Sequence, residues 1–425
     1  MYFIGIDVGT SGLRACAIDA AGVQLALIDA ALPEPVIAGS AIEQDARLWW
    51  SALQQVLTEL LQQIDPTQVH SICIDGTSGT LLVTDAVGTP LAPALMYNDS
   101  RATAEAARIQ QLAPKNSAAH GATSGLAKLL YLQAQHPEAA HALHQADWIA
   151  GMLCQRFNFS DSNNTLKSGY DVQHHCWPAW LDKLGVKRKL LPKVFEPGSV
   201  VCKINAHWAR VFHLPAATKI IAGTTDSIAA FIATGASQPG DAVTSLGSTL
   251  VLKIISPQPV FAPEFGIYSH QFGKYWLAGG ASNTGGAVLQ QFFTHQQMQN
   301  LMRELKPESP TGLDYYPLPR QGERFPINNP NLQPRLTPRP TDDAKFFQAM
   351  LEAIAGIEQQ GYKILQQLGA PALRQVITAG GGSCNQAWTQ IRQQNLKVPV
   401  YTAAHSEACY GSAVLALSGA RVNTI

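Results

Sequence analysis

Ile4-Gly5-Ile6-Asp7-Val8-Gly9-Thr10-Ser11-Gly12-Leu13-Arg14 is an apolar run that ends on an aspartate, turns through glycines and hydroxyls, and leaves on a second apolar run. Val243-Thr244-Ser245-Leu246-Gly247-Ser248-Thr249-Leu250-Val251 repeats that design far downstream. Glycine lets a backbone turn tightly and come close to an anion. Thr10, Ser11, Ser248 and Thr249 add hydroxyls, and turn N–H groups can point at phosphate oxygens. Either stretch alone reads equally well as an ordinary hairpin turn, because short glycine-rich matches are weak signals. Two of them, facing each other across a cleft, can grip a triphosphate from both sides.

A chain of 425 residues exceeds one typical core, so two or three domains are expected. Hydrophobic residues make up 46% and charged residues 14%, the balance of a globular enzyme with much buried surface. Lys+Arg and Asp+Glu both number 30, which argues against nucleic-acid or anionic-membrane partners, since their binding needs clustered cations. No apolar run reaches the roughly 20 residues that span a bilayer. The strand Tyr2–Ile6 has no leader-like segment before it, and the seven cysteines are scattered without a CxxC pair. A cytoplasmic protein with reduced thiols is the expectation. His174-His175-Cys176 has no second ligand cluster to complete a metal site.

Tyr2–Ile6, Leu13–Asp19 and Val23–Ile28 read as strands. Apolar spacing through Leu48, Trp49, Leu53, Val56, Leu57 and Leu60 predicts a helix over Asp45–Ile64. Val69–Asp75 reads as a buried parallel strand, followed by Gly76-Thr77-Ser78-Gly79-Thr80 and a strand at Leu81–Asp85. The second half repeats this order: a strand at Lys219–Ala222, a helix at Asp226–Thr234, a hairpin over Asp241–Ile255, a helix at Met350–Leu368, a strand at Gln375–Ala379, then helices at Trp388–Asn395 and Ala408–Leu417. Repeated architecture without repeated sequence predicts two similar α/β lobes, 1–216 and 217–425. The proline-dense 306–340 stretch excludes a long helix, and Tyr315, Tyr316, Leu318 and Phe325 favour a structured loop over a flexible linker.

At this point the chain resembles the FGGY family of carbohydrate kinases, within the actin/hexokinase/Hsp70-like ATPase superfamily. Asp7-Val8-Gly9-Thr10-Ser11 and Ser245-Leu246-Gly247-Ser248-Thr249 resemble its two phosphate motifs. Gly223-Thr224-Thr225-Asp226-Ser227 resembles the segment that carries the catalytic aspartate, and Gly322-Glu323-Arg324-Phe325-Pro326 the Gly-Glu-Arg-x-Pro motif. Gly380-Gly381-Gly382-Ser383-Cys384-Asn385 is similar to the adenosine segment, with Glu407-Ala408 and Gly411-Ser412-Ala413 in the closing helix. The resemblance runs almost end to end and implies two RNase H-like lobes: an N-terminal sugar lobe and a C-terminal ATP lobe with a cleft between them. It implies ATP and Mg²⁺ as cofactors, a small sugar as partner, and a monomer or homodimer. Xylulose kinases of the family carry Met-His-Gly where this chain has Gly76-Thr77-Ser78, and glycerol kinases carry Arg-Glu there. Asp75–Thr80, Asn164–Asp171 and Gly280–Gly286 resemble instead the short D-ribulose kinases of cyanobacteria and plants. D-ribulose is therefore the expected acceptor, with D-xylulose or another polyol as the alternative. An actin- or Hsp70-like protein that hydrolyses ATP without phosphorylating anything is the reading from a different class.

Phosphoryl transfer needs neutralised phosphate charge, in-line placement and a base for the attacking hydroxyl. Asp226 ends a strand and begins a helix, where it can serve as that base or as a helix cap. Asp7 closes an apolar strand; Mg²⁺ can satisfy its charge, or the carboxylate can simply stabilise the turn. Thr10, Ser11 and Gly12 are expected on one side of the triphosphate, and Gly247, Ser248 and Thr249 on the other. Gly380, Gly381 and Asn385 would frame adenosine, Asn385 being equally a helix cap, and Trp388 either stacks on the purine or fills the core. Asp7, Asp75, Ser78 and Asp226 are the candidate sugar contacts, because each sugar hydroxyl both donates and accepts. Asp75 can instead cap the Thr77–Thr80 turn. Arg14 reaches phosphate or sugar, or pairs at the surface. Glu323 and Arg324 read as a structural salt bridge.

Overall fold

The computed structural model describes residues 1–421. The chain forms two compact units, Met1–Ala233 together with the chain from Glu407 onward, and Thr234–Ser406.

The first unit is built on a six-stranded mixed sheet. Its strands are β1 (Tyr2–Val8), β2 (Gly12–Asp19), β3 (Gln24–Ala31), β4 (Val69–Gly76), β5 (Val200–Lys203) and β6 (Lys219–Thr225), in the order β5-β6-β4-β1-β2-β3. β4 runs parallel to both β1 and β6, and the remaining pairs are antiparallel. Helix α1 (Ala46–Leu61) is capped by the Asp45 carboxylate, which accepts from Arg47 N. It buries Trp49, Leu53, Val56, Leu57 and Leu60 against one face of the sheet, each worth roughly 1.5–3 kcal/mol relative to exposure. Leu48, expected in that stripe, points outward. Two buried helices were not foreseen: α2 (Gly125–Gln135) and α3 (Gln145–Cys154), whose apolar residues run almost all round and so lack a clear periodicity.

The opposite face is closed by the last helix, Ala408–Arg421. It packs on Phe3, Cys16, Ile18, Cys73 and Ile221. A Cβ at Gly5 would overlap the Cys409 carbonyl, so only glycine lets β1 and this helix approach so closely.

Lys219–Thr225 and the helix after it, α4 (Asp226–Ala233), belong to this first unit. The boundary expected at 216/217 therefore moves to 233/234. The cause is pairing: β6 hydrogen-bonds along Ser71–Gly76 of β4 and completes the first sheet before the chain leaves it.

The second unit repeats the plan. Strands β7 (Asp241–Leu246), β8 (Leu250–Ser256), β9 (Tyr268–Phe272) and β10 (Tyr275–Ser282) join β11 (Gln375–Ala379) and β12 (Val400–Thr402) in the order β9-β10-β8-β7-β11-β12. As β1 lies between β2 and a parallel β4, so β7 lies between β8 and a parallel β11. Helix α5 (Asp343–Gln367) starts seven residues before the predicted Met350, capped by Asp342 and burying Phe346 and Phe347 in that added turn. Helix α6 (Gln386–Leu396) follows β11. Between them lies a fully buried ion pair: the Arg392 guanidinium donates to both Glu358 oxygens at 2.7 Å and to Thr378 Oγ1 at 2.7 Å. The 306–340 stretch is irregular but packed, with Tyr315, Leu318 and Phe325 buried. Glu323 does not bridge to the Arg324 side chain; it accepts from Ser282 Oγ at 2.6 Å and Asn283 N at 2.7 Å, because strand β10 ends directly beside it.

Candidate active site

Parallel pairing of β1 with β4 sets Asp7 directly beside Asp75, and pairing of β6 with β4 sets Thr224 beside the same aspartate. Asp226 follows Thr225 as the first residue of α4, and its Oδ1 accepts from Ser227 N at 2.6 Å. Three carboxyl groups thus gather at the carboxyl ends of three parallel strands, the edge where open α/β sheets hold their ligands. Burial lifts the Asp7 carboxyl from 3.8 to about 6; the Asp75 carboxyl and Arg14 pull it down, and Asp226 and Glu407 push it up. Burial, reinforced by the Asp7 charge, holds Asp75 well above the carboxylate range, while Ser412 Oγ, donating to Oδ2 at 2.6 Å, draws it back. Two adjacent carboxyls cannot both carry full charge unless a proton or a cation lies with them.

Asp75 is fully buried, which takes it out of reach of a ligand and corrects its expected role as a sugar contact. Nor does it cap the following turn. Gln145 does, its Oε1 accepting from Thr77 N at 3.0 Å and Thr77 Oγ1 at 2.8 Å. Ser78, in the middle of that turn, stays half-buried. The first hairpin tip is closed by Gly9 N donating to Gly12 O at 2.9 Å. It is tied to the unit by Leu32 N on Ser11 O and by Gln44 Nε2 on Thr10 O, leaving Ser11 exposed and Thr10 half-buried. Arg14 pairs with Glu407 at 2.9 Å, about half exposed on both sides, where an ion pair contributes little.

Mg²⁺ takes one or two carboxylates and completes its shell with water and phosphate oxygens. Asp7, half-buried at a strand end and already crowded by Asp75 and Asp226, fits that limited donor set. Among the described residues no group of three or more His, Cys, Asp or Glu could enclose an ion without such outside ligands.

In the second unit the β7–β8 tip leaves Gly247 and Ser248 exposed, with Thr249 half-buried. It is braced from behind by Gly286 N on Gly247 O at 2.8 Å and Ala287 N on Ser248 O at 3.1 Å. Beside this tip opens a cavity of about 350 Å³, at the small end of the roughly 300–1,000 Å³ typical of ligand sites. Gly247, Ser248, Gly381 and Asn385 line it, against an apolar wall that includes Leu289, Met298 and Trp388. Asn385 caps α6, its Oδ1 accepting from Trp388 N at 3.0 Å, and borders the cavity as well. Trp388 is a buried core residue whose Nε1 donates to Leu351 O at 3.0 Å, yet its ring forms part of that wall. Gly380 lies behind, at φ 85°, where a Cβ would come within 2.7 Å of Leu246 O. Thr249 and Gly380 are not among the residues lining the cavity. Sequence reasoning missed Leu289, His295 and Met298, which the wall also includes; Gly285-Gly286 opens the short helix of Leu289, and the Thr294/Gln297 capping box the next helix, with His295 and Met298, and these were the available signals.

Two family models match: the N-terminal domain of the FGGY family of carbohydrate kinases over residues 2–233, and its C-terminal domain over 242–420. A xylulose kinase of Staphylococcus epidermidis is 23% identical, over 98% of this chain and 87% of its own length. An L-fuculokinase of Escherichia coli is 25% identical, over 96% and 90%. Among solved structures, a "xyloylose kinase" from Brucella ovis superposes with a TM-score of 0.91 at 23% identity, covering 99% of this chain and 91% of that one. A gluconate kinase from Lactobacillus acidophilus gives 0.87 at 21% identity, covering 100% and 90%. These likenesses bear out the two-lobe actin/hexokinase-like fold and leave no support for a protein that hydrolyses ATP without an acceptor. The chain belongs to the FGGY family of carbohydrate kinases, enzymes that transfer phosphate from ATP to a sugar.

Proposed function

We propose that this kinase phosphorylates a ketopentose, converting D-ribulose to D-ribulose 5-phosphate, with Asp226 as the general base. The observation that carries the reading is the gathering of Asp226, Asp7 and the Ser78 turn at one end of the first sheet. Asp226 accepts the proton of the attacking hydroxyl, an effect worth roughly 10²–10⁴-fold. Asp7 and Ser78 accept and donate hydrogen bonds to the sugar, and buried Asp75 acts only through Asp7. Thr10, Ser11 and Gly12 in the first unit, and Gly247, Ser248 and Thr249 in the second, offer turn N–H groups and hydroxyls to the phosphates. Gly381 and Asn385 border the cavity that suits a flat, largely apolar purine, and Gly380 keeps the β7–β8 tip in place behind it. Mg²⁺, when bound at Asp7, neutralises charge on the phosphoryl oxygens.

The resemblance of Asp75–Thr80, Asn164–Asp171 and Gly280–Gly286 to the short D-ribulose kinases supports D-ribulose. The xylulose kinases among the relatives favour D-xylulose as the second reading. All seven cysteines are free thiols, which supports a cytoplasmic setting. The test is a coupled ADP-release assay over ketoses, aldoses and polyols, with wild type and Asp226→Ala. D-ribulose should give the highest kcat/KM, and the alanine variant should lose at least a hundredfold in kcat. Preference for D-xylulose would replace the substrate assignment, and sugar-stimulated turnover surviving in Asp226→Ala would remove the base.

A further inference from the structure

Lys128, on α2, is buried completely without touching a carboxylate. Its Nζ donates to Gly79 O at 2.7 Å, Met96 O at 2.6 Å and Tyr97 O at 3.2 Å. An ammonium has three N–H donors, and here each meets a main-chain carbonyl. The nearest acid, Asp99, is occupied elsewhere: its carboxylate accepts from Ile42 N at 2.7 Å and takes a bidentate grip from Arg101. A buried charge without a counter-ion opposes folding unless hydrogen bonds replace its water. A leucine or methionine would fill the same space without that penalty, so the cation has a task beyond packing.

The carbonyls it gathers identify the task. Gly79 belongs to the turn that presents Ser78, directly after β4. Met96 and Tyr97 lead into exposed Asn98, just past Leu95, which pairs with Leu81 on the strand that leaves the turn. Gln145 holds the start of the turn at Thr77, and its far side runs through Thr80, 2.6 Å from Thr77 Oγ1, into the strand from Leu81, which pairs with His144. A Cβ at Gly79 would sit 3.4 Å from Thr123 O and 3.9 Å from the Lys167 side chain, so the turn is in ordinary contact with its surroundings there. Lys128 adds a side-chain link between the two loops beside that strand pairing.

We propose that Lys128 is a positioning residue for the sugar acceptor: its ammonium binds the Gly79 carbonyl to those of Met96 and Tyr97 and so fixes the placement of Ser78. The proposal rests on the reading of the Ser78 turn as part of the sugar site. Burial draws the ammonium down from 10.5 to about 7, with Asp99 holding it up and Lys167 pushing it down. His144, buried nearby and itself driven down by burial and by the Lys128 and Lys167 charges, stays neutral and adds no opposing cation.

The experiment measures KM for the ketopentose and for ATP separately, using D-ribulose and D-xylulose as probes, in wild type, Lys128→Met and Ser78→Ala. Lys128→Met keeps the length and apolar stem and removes all three donors. It should raise the ketopentose KM at least tenfold and leave the ATP KM within twofold; a purely structural lysine would lower thermal stability without that split. If Lys128→Met does not fold, Lys128→Gln, which keeps two N–H donors, carries the same measurement with a smaller expected rise of about threefold. An unchanged ketopentose KM in a folded Lys128 variant, with Ser78→Ala impaired, overturns the positioning role alone. An unchanged KM in Ser78→Ala removes the turn from the sugar site, and the role of Lys128 with it.

Discussion

Asp7 and Asp75 stand side by side at one register of two parallel strands, one half-buried and reachable, the other sealed beneath the closing helix by Ser412. The sealed partner cannot meet a ligand, but it controls the charge on the one that can. The pair titrates as a unit and binds a proton more readily than an isolated aspartate. A cation held at Asp7 would take the place of that proton.

Both carboxyls are raised on folding, so ionising them opposes the native state. For Asp7 the stabilising contribution is complete below pH about 3.8 and is lost as pH rises through about 6. Asp7→Asn should therefore be more stable than wild type at pH 8, by up to ~3 kcal/mol, with the gain vanishing below pH 4. The same variant should be inactive. Denaturant titrations at the two pH values check this, and an Asp7→Asn protein weaker than wild type at pH 8 would contradict it.

Gly380 holds its left-handed conformation against Leu246, the residue before the β7–β8 tip. Alanine there is strained by roughly 1–2 kcal/mol and pushes that tip away. Gly380→Ala should raise the ATP KM about tenfold while the sugar KM stays within twofold. Steady-state kinetics with each substrate varied in turn would decide it, equal effects on both counting against an ATP-side role.

Glu358 and Arg392 tie α5 to α6, and through Thr378 to β11, which ends just before Gly380. Removing one member leaves a bare charge in the core, at a penalty of about 3–5 kcal/mol. Arg392→Met should accordingly melt well below wild type by calorimetry, and adding Glu358→Leu should restore much of the loss. A single variant within 1 kcal/mol of wild type would show the pair to be relaxed by solvent.

The strands around the two glycine turns were legible because such turns write themselves into local sequence, as at Asp7–Gly12 and Gly247–Thr249, whereas β5, β9, β10 and β12 were not read from it. Helix α1 was legible from its one-sided stripe, but α2 and α3 were not, being apolar on nearly every side. Of the candidate site, the residues near each glycine turn came through. The burial of Asp75 did not, because it depends on a helix more than three hundred residues away. Lys128 and Gln145 were hidden for the same reason: each acts on backbone atoms of distant segments, and nothing local marks a side chain for that work. The domain boundary was misplaced because Lys219–Thr225 carries no sign of which sheet it will join.

The closing helix carries one more implication, for biosynthesis. Strand β1 precedes Ala408–Arg421 in the chain, so the surface it lays against that helix stays uncovered while all the intervening elements are made. Until that helix is made, Phe3, Cys16 and Ile221 lack their native cover, so loss of Ala408–Arg421 by truncation strips a strand that lies at the other end of the fold's chain order.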